Sequence, residues 1–173
     1  LDLRVVDISR DVGSSPATFY QYFNDVEEDI LELAKEATED EKPLVALLQP
    51  GWNESDGLER AGRFVDAYMA YWDTHHAVLR ARNLKAEEGN RYFRAVRTEA
   101  NLLVMDALQA MVAEGIAAKR LSDSLDPFTT AAAVVAMCER LLAFRPEMAK
   151  RGANRDAIRN TLATLLYGAL TGH

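Results

Sequence analysis

The chain is short of the residues that staple, ligate and span. It has one cysteine, Cys138, in 173 residues, so no disulfide can close within it. A secreted disulfide scaffold is therefore excluded, and a reducing compartment agrees with the count. Cys138 follows Val134, Val135, Ala136 and Met137 in an apolar helical stretch, where a lone thiol packs as a small hydrophobe. Nowhere do roughly 18 apolar residues run without interruption, and Leu1-Asp2-Leu3-Arg4 is not a secretory signal. The expectation is a soluble, cytoplasmic protein with no membrane partner. Glycine-rich phosphate loops and nucleophile elbows are also missing. His75 and His76 are adjacent, which points them about 100° apart on a helix. Helical metal pairs need three or four residues of spacing, and Asp73, Glu87 and Glu88 have no histidine at i+4. Neither catalysis, nor a metal, nor a cofactor is expected.

Basic residues are scarce at the front. Residues 1 to 49 hold four Lys or Arg against twelve Asp or Glu, a balance of −8, while sixteen against fifteen leaves the remainder at +1. Non-specific affinity for nucleic acid comes mostly from basic side chains neutralising phosphates, so composition alone argues against a nucleic-acid partner.

The same front stretch carries a pattern that argues the other way. Val5 to Val12 reads as a helix, and Gly13 can close it in the left-handed conformation open to a residue without a Cβ. Ser15 can cap a following helix with its hydroxyl, and Pro16 stands at the first helical position, where its missing N–H costs nothing. That second helix is expected over about Pro16 to Tyr22, with Phe19 and Phe23 turned to the core. Thr18, Tyr20, Gln21 and Tyr22 present groups that bond phosphates or base edges, and Arg10 can reach a phosphate. Two short helices joined by a turn with glycine form a helix-turn-helix, whose second helix enters the major groove.

The run Ala17-Thr18-Phe19-Tyr20-Gln21-Tyr22-Phe23, preceded by Gly13 and Ser15 and followed by an acidic, leucine-containing helix, resembles the DNA-binding segment of the TetR family of one-component transcriptional repressors. The likeness is specific over roughly residues 4 to 34. Two positions depart from it: Ser14 stands where the family usually has an apolar residue, and Val26 where it usually has a lysine that meets a DNA phosphate. The resemblance implies a double-stranded operator DNA partner contacted through Arg10, Ser14, Ser15, Pro16, Ala17, Thr18, Tyr20, Gln21 and Tyr22. It also implies an earlier helix ahead of Leu1, since such heads have three helices. Helix N-termini and hydroxyls hold phosphates without formal charge, and much of the acid lies after residue 26, beyond the reading helix.

The rest of the chain reads as helix throughout, with no strand-like alternation, repeat or low-complexity segment, so the fold class is all-α. A linking helix is expected from Val26 to about Asp40, with Asp25 as its cap. Val5, Val6, Ile8, Val12, Phe19, Phe23, Ile30, Leu31 and Leu33 are spaced to form the head core. Pro43 to Gly57 gathers turn formers, and the boundary between a 1–42 head and a 43–173 body is placed there. Helices are then expected over Leu58 to Asp73, His75 to Glu87, Asn90 to about Lys119, Pro127 to Phe144 with Asp126 as cap, and Arg155 to Leu170. Arg145-Pro146 should stop the fourth of these.

Aromatic and sulfur-bearing side chains collect in the body. Phe64, Tyr68, Tyr71, Trp72, Met105, Leu108 and Met137, with Asn101 as the polar group inside the most apolar helix, are the candidate lining of a small-molecule site. The alternative for residues at this spacing is plain core. The family likeness favours a cavity, and the lining suits a small hydrophobic or aromatic effector. By the same likeness the last two long helices pair with their copies in a homodimer, through Phe128, Ala132, Val135, Ile158, Leu162, Leu165, Leu166 and Ala169. The function expected is a ligand-released repressor. The alternative is a ligand-binding helical dimer without effective DNA binding, suggested by Val26 and the acidic head.

Overall fold

The computed structural model describes residues 15–49 and 51–172, with residues 16 and 19–25 described by backbone alone. Among these residues there are six α-helices and no strand. The first, α1, spans Pro16–Leu48. Ser15 is extended, and its Oγ accepts the amide of Thr18 at 3.0 Å, so the cap read from Ser-Pro is present.

The helix it starts differs from expectation. Instead of ending near Tyr22 and restarting at Val26, α1 runs unbroken for 33 residues and through the expected boundary at 41–43. Phe23-Asn24-Asp25 contains neither Gly nor Pro, and nothing there forces an interruption. Pro43 sits inside the helix on its exposed side, which leaves the Glu39 carbonyl without its i+4 amide. The chain turns only beyond Leu48. There Trp52 is buried, its indole N–H donates to Leu47 O at 3.1 Å, and Arg60 donates to Gln49 O and Gly51 O.

Helix α2 spans Gly57–Glu87, so the expected break between Asp73 and His75 is absent. Thr74 sits mid-helix and bonds its hydroxyl back to Ala70 O at 3.1 Å. Gly89, at φ 97°, turns the chain, and Asn90 caps α3, Arg91–Ala117, through the amides of Tyr92 and Phe93. Asp126 caps α4, Pro127–Ala143, by accepting the Thr129 amide at 2.7 Å. Arg145-Pro146 does end α4, but Pro146 then lies in the first turn of a short α5, Arg145–Ala149. Asn154 caps α6, Arg155–Thr171.

Helix α3 packs against α1, α2, α4 and α6 and so occupies the centre. By length and composition it could cross a membrane, yet its buried residues, among them Phe93, Val96, Val104, Leu108 and Val112, face four neighbouring helices. Salt bridges tie the rim: Asp73 of α2 to Arg145 and, at 3.0 Å, Arg155, and Asp66 to Arg159 at 2.9 Å.

The head core expected around Ile30, Leu31 and Leu33 is only partly borne out. Ile30 and Leu31 are half-buried and Leu33 is 51% exposed, because the buried stripe of α1 passes through Ala34, Ala37, Glu41, Leu44 and Leu48 instead. Val5, Val6, Ile8 and Val12, and the side chains of Phe19 and Phe23, fall outside the described residues.

Leu166, with no exposed surface, and Leu33 provide a test of this packing. Leu166→Ala should cost about 2–5 kcal/mol in urea denaturation, whereas Leu33→Ala should stay within about 0.5 kcal/mol of the parent.

Candidate functional site

The aromatic residues of α2 stack along one side of the helix. Phe64 and Tyr68 lie 5.9 Å apart, Tyr68 and Tyr71 6.1 Å, and Tyr71 and His75 5.0 Å between ring centroids, with Trp52 tilted against Phe64 at 6.2 Å. All but His75 are buried. Below them a small cavity is lined by Glu41, Phe64, Tyr68, Val104, Leu108, Val134, Val135 and Cys138. Its free volume of about 10 Å³ suffices for one water at most, far below the roughly 300 Å³ at which small-molecule pockets begin.

Of the residues expected to line a ligand site, Phe64, Tyr68 and Leu108 thus meet around one cavity. The others do not join them. Asn101 and Met105 border an open cleft of about 380 Å³ together with Asn83, Arg97, Leu102, Phe128 and Glu139. Trp72 borders a second cleft, of about 600 Å³, which shares Asn83, Glu87 and Glu139 with the first. Tyr71 is in the core but turns its hydroxyl to Glu41, and Met137 packs half-buried against the core.

Between the cavity and the clefts lies a group of buried charges. Arg82 is 2% exposed, and its Nη2 is 3.9 Å from Oε1 of Glu139. Its Nε donates to Asn83 Oδ1 at 3.2 Å, and its Nη1 is buried with no hydrogen-bond partner among the described residues. Glu41, 6% exposed, receives among the described residues only the long 3.4 Å bond from the Tyr71 hydroxyl. Burial raises the Glu41 carboxyl to about 7 against the opposing pull of Arg82, with Glu139 adding to the rise. Burial likewise raises Glu139, opposed by Arg82 and Arg97, and lifts the Cys138 thiol to about 12. Tyr68, also pushed upward by burial, makes no hydrogen bond through its hydroxyl among the described residues. Beside this group, Phe64 and Tyr68 of α2 face Val134, Val135 and Cys138 of α4 across the cavity.

Glu41, Arg82 and Glu139 supply the polar side of the site. The signal for the first two was positional. Arg82 follows Leu79 by three and precedes Ala86 by four, and Glu41 lies between Ala37 and Leu44, so each is a charge on a buried stripe. Glu139 neighbours Cys138 on the edge of the α4 stripe.

The DNA-reading candidates lie on the first turns of α1 or ahead of it. Ser15, Ala17 and Thr18 are exposed; Pro16, Tyr20, Gln21 and Tyr22 are helical with side chains outside the described residues, as Arg10 and Ser14 are altogether. Farther along α1, Glu27 accepts from Asn90 Nδ2 at 2.6 Å and pairs with Lys85 at 3.7 Å, which ties the front of α1 to the α2–α3 turn. Val26, one residue earlier, is 48% exposed.

The candidate dimer residues divide. Phe128 and Leu165 are both 47% exposed, and Ala132 and Ala169 are half-buried. Val135, Ile158, Leu162 and Leu166 are buried within the chain itself, so these four serve its own core. Around Leu165 the outer face of α6 is made of Thr161, Thr164, Gly168 and Ala169, small enough for close helix approach.

The described residues form a bundle of helices around the central α3, entered by the long, Ser15-capped α1. Residues 44–173 match the family described as tetracyclin repressor-like, C-terminal domain. The chain belongs to the TetR family, whose domains of this kind are regulatory rather than catalytic. A comparison with curated protein sequences finds no match.

The raised carboxyl of Glu41 gives stability a definite pH dependence. Because the folded chain holds that proton up to about pH 7 and the unfolded chain releases it near 4.5, stability falls as pH rises between those values. Denaturation midpoints measured from pH 4.5 to 8 should show this decline, by about 3 kcal/mol at most, and Glu41→Gln should flatten it.

Proposed function

We propose that the protein is a ligand-responsive transcriptional regulator, acting as a cytoplasmic repressor that binds double-stranded operator DNA as a homodimer and is released by a small hydrophobic effector. The observation that carries this reading is the family match over residues 44–173 behind a helix opened by Ser15-Pro16. Residues 1–42 form the DNA-binding head and 43–173 the body. Tyr20 and Gln21 read base edges; Arg10 and the hydroxyls of Ser14, Ser15 and Thr18 take phosphates. No catalytic step is assigned.

Two heads fit successive major grooves roughly 34–36 Å apart. The Glu27–Asn90 and Glu27–Lys85 contacts near the front of α1, with Glu41–Tyr71 and the 3.2 Å Asp40–His75 pair farther back, couple α1 to the body. An effector that prefers a wider cavity shifts the population toward an arrangement of α1 that no longer matches the groove spacing.

Gln21→Ala should weaken binding to DNA flanking the protein's own gene by about 1–3 kcal/mol, measured by gel shift, with the dimer intact by sedimentation. Unchanged binding would move the reading surface elsewhere and favour a helical dimer without DNA binding, the alternative to which the −8 balance of residues 1–49 points. In the proposed dimer the α4 and α6 faces of two copies meet around Phe128 and Leu165. Leu165→Glu, on a half-exposed position, should leave the helical signal in circular dichroism unchanged and convert the dimer to monomer in analytical ultracentrifugation.

A further inference from the structure

We propose that Arg82 is the effector's polar anchor, and that the effector is an amphipathic monocarboxylate whose apolar chain enters the cavity between Phe64, Tyr68, Leu108, Val134 and Val135. This inference rests on the regulator reading and specifies the ligand class of its body site.

Arg82 is almost wholly buried, yet among the described residues Nη1 has no hydrogen-bond partner and Nη2 has Glu139 at 3.9 Å. A buried guanidinium with an unused N–H edge is a strained arrangement in an otherwise apolar core, and a planar carboxylate is the group whose geometry matches that edge. Arg82 is linked to both compartments through its acidic neighbours. Its ion-pair partner Glu139 lines both outer clefts, and Glu41, whose carboxyl feels the Arg82 charge, lines the inner cavity. Phe64 and Tyr68 of α2 face Val134, Val135 and Cys138 of α4 across the inner cavity, and the 3.9 Å Arg82–Glu139 pair is a polar link between the same two helices. A carboxylate arriving from the cleft takes Arg82 from Glu139, which swings to the solvent it already half faces and to Arg97, whose charge it feels. The chain behind the carboxylate then widens the cavity against Glu41 of α1.

The charges that face the site balance this exchange. They are Glu41 on α1; Arg82 with the hydroxyls of Tyr68 and Tyr71 on α2; Arg97 on α3; and Glu139 with the Cys138 thiol on α4. Adding an anion beside Glu41 favours its protonated form, so ligand binding takes up a proton wherever Glu41 would otherwise be ionised. A neutral ligand would take up no proton, and a cation would release one.

The probes are decanoate, decanol and decylamine, titrated against the full chain by intrinsic tryptophan fluorescence and thermal shift, with retention of the DNA flanking its own gene followed in the same samples. Decanoate should bind at least about tenfold more tightly than decanol or decylamine, an anion-specific gain of the size a charged hydrogen bond gives. Its affinity should fall between pH 6 and pH 8, approaching tenfold per pH unit above the Glu41 titration, and that fall should vanish in Glu41→Gln. Glu139→Gln, which removes the competitor and keeps the shape, should tighten decanoate binding, while Arg82→Gln should abolish the preference for the acid. Equal or tighter binding of decanol or decylamine, no decanoate binding at 1 mM, or weaker decanoate binding by Glu139→Gln would each overturn the assignment. DNA released by decanol or decylamine and not by decanoate keeps the regulator and removes the carboxylate; decanoate bound with the predicted pH profile but without effect on DNA keeps the anchor and removes the regulator.

Discussion

A full positive charge is held where water barely reaches it, and the arrangement of three helices answers to that constraint. Desolvating a guanidinium costs several kcal/mol, and recovery depends on close, well-aligned partners. Arg82 has two carboxylates nearby, Glu41 from α1 and Glu139 from α4, but neither approaches in hydrogen-bonding geometry and Nη1 has no partner among the described residues. The cluster therefore recovers only part of what it costs. A fully apolar seam between α1, α2 and α4 would be at least as stable. It would also have no reason to change partners.

In the proposed regulator, the position of the cluster would turn that incomplete recovery into coupling. Glu41 lies on the same uninterrupted helix that begins at the Ser15 cap. A straight α-helix advances about 1.5 Å per residue, so a rotation imposed at Glu41 reaches the front of α1 through the rod itself. The tie at Glu27 makes that end responsive to the body as well, because Asn90 both caps α3 and donates to Glu27. Whatever displaces the α2–α3 turn is thus felt by α1 at Glu27, and whatever displaces Tyr71 of α2 is felt at Glu41.

Much of the fold was legible in the chain because its caps are strong local signals. Ser15-Pro16, Asp126-Pro127 and Asn90 start helices where expected, since a side-chain acceptor and a proline each lower the cost of a first turn irrespective of what packs later. Interruptions were read less well. No residue between Tyr22 and Val26, or between Asp73 and His75, breaks a helix by itself, and tertiary contacts extended both. The site was half legible: the aromatic stripe of α2 showed its periodicity, but whether it enclosed free space depended on α3 and α4, which approach from distant sequence. Glu41 and Arg82 were overlooked because charges are usually solvated. Their register with Ala37 and Leu44, and with Leu79 and Ala86, was the available clue, and it outweighs residue type when the stripe around it is unbroken. The dimer face was overdrawn for the converse reason: an apolar residue near the end of a chain can equally be covering its own core, as Ile158, Leu162 and Leu166 do.

The nearly closed cavity follows from the same balance. Apolar walls at native density shut an unfilled space, because each ångström of gap forfeits dispersion contacts, and Val104, Leu108, Val134 and Val135 have done so here. Holding the space open would cost that packing at all times; in the proposed regulator the cost would fall on the ligand-bound state alone. To move a population from one part in a hundred to ninety-nine, a ligand must prefer the open state by about 5.5 kcal/mol. Refilling a hydrophobic gap restores what opening it lost and so gives little net preference. A polar group that is under-satisfied when the cavity is shut and satisfied when it is occupied would supply the difference, and among the described residues Arg82, whose Nη1 lacks a partner, is the side chain proposed for that part.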